Sequence, residues 1–234
     1  SELSNKFSNN ILDYVKDFKM IVTSENLNMK KMPSYALELY SQNAKSTYPD
    51  STPENGPWVI TLDIPSYLPF MSHYPESDLR EKLYKSYITK ASSNDKNNLP
   101  IIKEILTLKK KLVSLLGFSS YVEYSLETKM ANSKLEIEEL LNNLAVKSKE
   151  FASKEVRDIE LIKQEMNGDC EKLNPWDVSY YSERLKEKKL GFKEEELKPY
   201  FPLDSVLDGL FTLANKLFNI KIEESKEEIH VWDD

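Results

Sequence analysis

The residues with the most chemistry to offer in this chain are two histidines, His73 and His230, and one cysteine, Cys170. A helical zinc site of the H-E-x-x-H kind needs two imidazoles four residues apart, so that both face one metal from one side of a helix. Neither histidine has such a partner, so a zinc site of this kind is not expected within the chain, and no residue is assigned to catalysis or to metal binding. A Ser-His-Asp arrangement would have to use one of the same two residues. His73 lies in Met71-Ser-His-Tyr-Pro75 at a predicted helix end and His230 in a predicted terminal strand, and a structural role is favoured for both. Cys170 follows Asn167-Gly-Asp169 in a polar stretch with no activating neighbour, which argues against a nucleophile. A single cysteine also forms no disulfide within the chain and no thiolate cluster.

Asp177 is the most interesting carboxylate, because it stands beside Trp176 and near Tyr180 and Tyr181. Buried next to phenols it could exchange protons; as a helix cap it would bind backbone N–H groups instead, and capping is favoured. The acidic runs Glu138-Glu139 and Glu194-Glu195-Glu196 sit in hydrophilic sequence and read as solvated faces. The five glycines stand far apart, so neither a G-x-G-x-x-G loop nor a Walker A loop exists. There is no G-x-S-x-G elbow. The 13 tyrosines, among them Tyr124, Tyr180 and Tyr200, read as core-edge residues rather than as an aromatic binding patch.

The elements that must position these residues are mostly helical. Hydrophobic residues are 40% and charged residues 30%, enough apolar content to bury a core. The scarcity of glycine and the lack of an Asn-Gly or Asp-Gly turn between alternating runs argue against an all-β fold. The net charge of −7 leaves no basic footprint for nucleic acid and makes an anionic membrane surface a poor partner. No apolar run reaches the ~18 residues of a membrane span. The polar start, Ser1 to Asn10, does not read as a signal peptide. The expected location is therefore cytoplasmic or an organellar matrix, not secreted.

Phe7, Ile11, Leu12, Tyr14, Val15 and Phe18 fit one face of an opening helix. Pro33 starts a second, carrying Ala36, Leu37, Leu39 and Tyr40. The stretch from Lys45 to Pro57 is a loop, and Trp58 to Leu62 is the best strand. Ser66 opens a short helix with Pro69 in its first turn; a PxxP docking motif is the minority reading of Pro65 and Pro69, since the segment is apolar. Helices follow over Asp78 to Thr89 and from Pro100 to a stop at Gly117. The longest helix runs from Ser133 to about Met166, with Ser133 and Glu136 as a capping box. Its stripe is Ile137, Leu140, Leu141, Leu144, Phe151, Ile159 and Ile162, and Lys147, Ser148 and Lys154-Glu155 break any strict heptad. Asn174 caps a helix with Pro175 first and Asp177 at N3, ended by Gly191. Asp204 to Phe218 is an amphipathic helix, and Ile220 to Ile222 and Ile229 to Trp232 read as strands. No internal repeat of about 20 to 50 residues is present, which counts against a solenoid.

Longer strings go further than residue chemistry. Ile60-Thr-Leu-Asp-Ile-Pro-Ser-Tyr-Leu-Pro-Phe-Met71, Leu79-Arg-Glu-Lys-Leu-Tyr84 with Lys90-Ala-Ser92, and Leu116-Gly-Phe118 through Tyr121 to Thr128-Lys-Met-Ala131 resemble the thimet-oligopeptidase family of zinc metallopeptidases, most closely its oligopeptidase A branch. Pro175-Trp-Asp-Val-Ser-Tyr-Tyr-Ser-Glu183, Leu197-Lys-Pro-Tyr-Phe-Pro202 and Leu207-Asp-Gly-Leu-Phe211 continue the family's order. The opening segment, Leu3 to Pro33, fits less closely.

The resemblance implies a mainly α fold: a multi-helix array with a few short β-strands, part of a two-halved channel-type zincin peptidase. It implies zinc in the complete enzyme, held by two histidines of H-E-F-G-H and a later glutamate, with the motif glutamate activating a zinc-bound water. All of these family positions lie beyond the one matched by Asp234, so none is carried over and this chain is expected to bind no zinc by itself. The family segment before Ser1 is missing too, which makes residues 1–234 an internal helical region, with a sub-division into 1–50 and 51–234. After Val231-Trp232 the family continues with His-Pro, where this chain has Asp233-Asp234. The implied role is channel wall and scaffold of an oligopeptidase that hydrolyses short peptides. Its partners would be those peptides and the missing catalytic segment of the same protein, with self-association of this piece alone. A non-catalytic peptide-binding or scaffold module, or one half of a split peptidase, stays open as the alternative.

Overall fold

The computed structural model describes residues 1–168 and 172–223, the side chains of Glu194 and Glu195 excepted. Cys170, His230 and the predicted strand Ile229 to Trp232 lie outside the described residues. Contacts divide the chain into two units, Ser1–Lys189 and Leu190–Asp234.

The first unit opens with α1 (Glu2–Asp17), β1 (Met20–Val22) and α2 (Ser34–Ala44). It continues through β2 (Trp58–Ile60), α3 (Ile64–His73) and α4 (Ser77–Ile88). Then come α5 (Leu99–Leu115), α6 (Tyr121–Leu126), α7 (Lys134–Asn167) and α8 (Val178–Leu190). Among the described residues the only sheet is the antiparallel pair β1–β2, with Met20 opposite Ile60 and Val22 opposite Trp58. The fold is mainly α, as the sequence predicts.

The core gathers around that pair. Ala36, Tyr40 and Ala44 recur at helical spacing and are fully buried on α2. Tyr40 donates its hydroxyl to the Ser66 carbonyl at 2.9 Å, which ties α2 to α3. Trp58 and Ile60 of β2, Phe70 of α3, Tyr74 just after α3 and Leu83 of α4 join that core. β1 to β2 pairing crosses residue 50, so the residues on either side of it share one core. The turn into β2 depends on Gly56: its φ is +63°, and a Cβ there would come within 2.7 Å of the Trp58 ring.

Several elements depart from the sequence reading. Leu12, placed on the packed face of α1, is 64% exposed, because the face that meets the core runs through Tyr14, Val15 and Phe18. α3 begins at Ile64 behind Asp63, so Pro65 is in its first turn and Pro69 lies inside the helix. Proline there forfeits the bond to the carbonyl of residue 65. α7 starts as predicted, with Ser133 Oγ accepting from Glu136 N–H at 3.2 Å. The Glu136 carboxylate reaches the N–H of Asn132 rather than of Ser133, at 2.8 Å. Gly168 closes α7 at φ +74°, donating its N–H to Gln164 O. The long stripe is covered only at its C-terminal end, where Ile159 and Ile162 pack with Tyr180 and Tyr181.

In the second unit α9 (Leu203–Phe218) forms as predicted and is closed by Asn219 at φ +55°. Among the described residues the predicted strand Ile220 to Ile222 is not a strand. β-branched residues favour an extended chain, but a strand exists only by pairing, and this segment has no described ladder partner. Its first carbonyl is taken instead by the Asn215 side chain, at 2.9 Å.

Candidate functional site

The densest polar constellation lies where the start of α4 meets residues 173–184. Its centre is Arg80, a charged residue only 1% exposed. A buried guanidinium is tolerated only when its donors are satisfied and its charge is matched. Both conditions are met. Nη2 donates to Asp177 Oδ1 at 2.5 Å, Nη1 to the Tyr74 carbonyl at 2.5 Å and Nε to the Trp176 carbonyl at 3.3 Å. Asp177 accepts as well from Ser77 Oγ at 2.8 Å and from Asn174 Nδ2 at 3.2 Å, and Trp176 Nε1 donates back to Ser77 Oγ at 3.0 Å. Arg80 and Asp177 are 97 residues apart in sequence.

This geometry corrects both sequence readings of Asp177. Helix α8 begins at Val178, with Pro175–Asp177 forming a turn before it. The carbonyl of Asp177 accepts the N–H of Tyr181, but the carboxylate turns away from the helix end toward Arg80. It does not face a phenol for proton exchange either: Tyr181 accepts from Asn167 Nδ2 at 2.9 Å. With its lone pairs already engaged by Arg80, Ser77 and Asn174, Asp177 is a closed ionic staple rather than an acid or base.

Tyr180 lies beside the staple with two guanidinium groups over its ring, Arg80 at 4.4 Å and Arg184 at 5.2 Å from the centroid. Arg184 Nη2 reaches Glu187 Oε1 at 3.2 Å and lies 3.1 Å from His73 Nδ1. Guanidinium is a donor only, so in this contact the Nδ1 lone pair of His73 accepts. Arg184 Nε is buried with no hydrogen-bond partner among the described residues. His73 is thus at the end of α3, as its sequence context predicts, and its contact is with a cation.

Around this site, burial pushes tyrosine ionisation up. The Tyr74 hydroxyl is raised by burial and by its contact with Glu76, and Tyr40 by burial. Tyr67, stacked on Tyr87 at 4.2 Å, is pushed up to about 12 by burial. Elsewhere an open groove lined by Tyr14, Asp17, Phe18 and residues 93–96 carries an ion pair between Lys96 and Asp17, which holds the Asp17 carboxyl below its usual range.

Among the described residues no group of three or more His, Cys, Asp or Glu comes together in a way that could hold a metal ion. The described residues therefore offer no set of ligands that fits a zinc ion. Sequence reasoning missed Arg80, Ser77 and Arg184. The signal for Arg80 was faint: it sits within the Leu79–Tyr84 string and Asp177 within the Pro175–Glu183 string, but nothing in either says that they meet.

A second feature is the uncovered part of α7. On the stripe that Ile159 and Ile162 continue, Leu140, Leu144 and Phe151 are 59%, 54% and 70% exposed. No helix among the described residues is long and apolar enough to cross a membrane.

Comparison with known proteins gives these features a context. The sequence profile of the family described as Peptidase family M3 matches residues 70–234. The organellar oligopeptidase A, chloroplastic/mitochondrial, of Arabidopsis thaliana is 42% identical over 99% of this chain, which corresponds to 29% of that protein. A probable cytosolic oligopeptidase A of the same plant is 40% identical over 99% of the chain and 33% of its own length. Oligopeptidase A of Escherichia coli is 35% identical over 99% of the chain and 34% of its own length. The chain thus spans about a third of the curated relatives it matches.

Proposed function

The chain belongs to peptidase family M3, and from that premise we propose that it is a non-catalytic helical region of a zinc-dependent oligopeptidase, serving as scaffold and channel wall for the hydrolysis of short peptides. The observation that carries this reading is the pairing of two shares. Oligopeptidase A proteins match over almost all of this chain, while the match takes up only about a third of each of them. Metal and nucleophilic water would be supplied by polypeptide outside residues 1–234. The Arg80–Asp177 staple suits a scaffold: it fixes α4 against α8 with buried, fully engaged charges that are not available to a substrate.

Two preparations test the proposal: residues 1–234, and the complete polypeptide that carries them. Both are assayed with an internally quenched oligopeptide, with and without a chelator. The complete polypeptide is expected to cleave the peptide in a chelator-sensitive way and the chain alone to leave it intact. A complete polypeptide that is inert toward oligopeptides of every length tried contradicts the assignment.

A further inference from the structure

We propose that Asn55–Gly56 is a site of spontaneous modification: the Asn55 carboxamide closes onto the Gly56 nitrogen, and the chain reopens in part as an isoaspartyl link that loosens the turn into β2. The chain has two Asn-Gly pairs, Asn55–Gly56 and Asn167–Gly168. Glycine leaves the amide that follows asparagine unhindered, because it has no Cβ to obstruct approach. In the reaction the Gly56 nitrogen attacks Cγ of Asn55. An N–Cγ bond forms, the Cγ–Nδ2 bond breaks, and the amide proton leaves with Nδ2 as ammonia. Water then opens the cyclic imide at either carbonyl, giving aspartate or isoaspartate. No co-reactant beyond water is needed.

The fold sets the two pairs apart. Asn167 is the last residue of α7, and in a helix the side chain leans back toward the N-terminus, away from the amide that follows. Its Nδ2 is held by the Tyr181 hydroxyl at 2.9 Å, and the Gly168 N–H by Gln164 O at 2.8 Å. Asn55 instead stands in the turn at residues 53–55, exposed together with Glu54. Among the described residues no partner holds its carboxamide; its backbone N–H donates to Thr52 Oγ1 at 3.2 Å. The Gly56 N–H donates to Thr52 O at 2.9 Å, and that bond must open before attack.

The product matters because of what the turn supports. Ser51 Oγ donates to Pro57 O at 2.7 Å and Trp58 Nε1 to Pro53 O at 3.2 Å, so the loop is tied across itself. Trp58 is 2% exposed, and a Cβ at residue 56 would already stand within 2.7 Å of its ring. An isoaspartyl link adds a methylene to the main chain at residue 55, next to a ring that leaves no room at residue 56. A change at an exposed tip is thereby felt in the core around β2.

Peptide mapping of the complete polypeptide, aged at mildly alkaline pH, follows the exchange of –NH2 for –OH at both pairs by mass. An isoaspartyl carboxyl methyltransferase with labelled S-adenosylmethionine marks the isoaspartyl share. Position 55 is expected to convert at least about tenfold faster than position 167, the ratio that a difference of about 1.4 kcal/mol in local opening sets. Equal rates, faster conversion at 167, or an Asn55 that stays intact while the urea-unfolded polypeptide converts there overturn the proposal. Asn55→Gln, whose side chain is a methylene too long for the same ring, should keep position 55 unmodified. Aged wild type should then melt below aged Asn55→Gln. Freshly made Asn55→Asp, which gains the charge but no main-chain atom, should melt close to Asn55→Gln. An aged wild type that carries the isoaspartyl link and keeps the midpoint of Asn55→Gln overturns the effect on the core. Neither readout needs peptidase activity, so failure of the oligopeptidase reading and failure of this one are separable.

Discussion

Among single residues, Arg80 and Asp177 form a buried ion pair, with side chains 1% and 3% exposed. Removing one partner of a buried ion pair strands the other charge, whereas removing both leaves an apolar site that can repack. Asp177→Ala is therefore expected to destabilise the first unit by about 3–5 kcal/mol. The double change Arg80→Met with Asp177→Leu should cost clearly less than the sum of the two single changes. Urea unfolding followed by Trp fluorescence measures both, and additive single and double changes would show that the pair is not coupled. The tyrosines give a pH signature. Tyr67, Tyr74 and Tyr40 have folded-state pKa values above their ordinary value of 10.0. The folded chain therefore holds these protons more tightly than the unfolded chain. Their contribution is fully present below pH 10 and is lost as pH rises, for Tyr67 through about 12. The melting temperature should fall steeply above pH 10, and Tyr40→Phe should flatten that fall. An unchanged alkaline slope in the variant would remove Tyr40 from the account.

At the scale of elements, local signals and long-range pairing separate cleanly. Ser133 accepts from the Glu136 N–H as its sequence position predicts, so Ser133→Ala should cost about 1 kcal/mol. Thermal unfolding by circular dichroism at 222 nm reads this loss, and a midpoint unmoved by the change would show that the cap is dispensable. Helix limits of this kind were legible because caps, prolines and positive-φ glycines act within a few residues. β1 was not legible: Met20–Val22 is too short to show alternation, and it is a strand only because β2 stands beside it. Ile220 to Ile222 shows the converse, with β-forming residues but no described partner. Asp177 shows the same limit at the site. Its neighbours in sequence pointed to a cap, and its true partner, Arg80, comes from another helix. The family, by contrast, was legible from strings such as Pro175–Glu183, because they carry the record of long-range contacts that local propensity does not.

At the scale of the whole molecule, the pattern of exposure is informative. The core around β1 and β2 is dense, while α5, α7 and α9 carry large apolar side chains in solvent, among them Leu106, Phe151 and Phe218. Exposed apolar faces of this kind favour association. Residues 1–234 in isolation are therefore expected to self-associate with rising concentration, which sedimentation velocity would reveal. A monomer at all concentrations would mean that these faces are not sticky enough to need a cover.

We propose that residues 1–234 belong to a zinc oligopeptidase and contribute its framework rather than its chemistry. The most direct test is to load the purified chain and the complete polypeptide with zinc, dialyse both, and measure bound metal and cleavage of a quenched oligopeptide side by side. The account predicts zinc and chelator-sensitive cleavage in the complete polypeptide and neither in the chain alone. Stoichiometric zinc together with chelator-sensitive cleavage by residues 1–234 alone would contradict it.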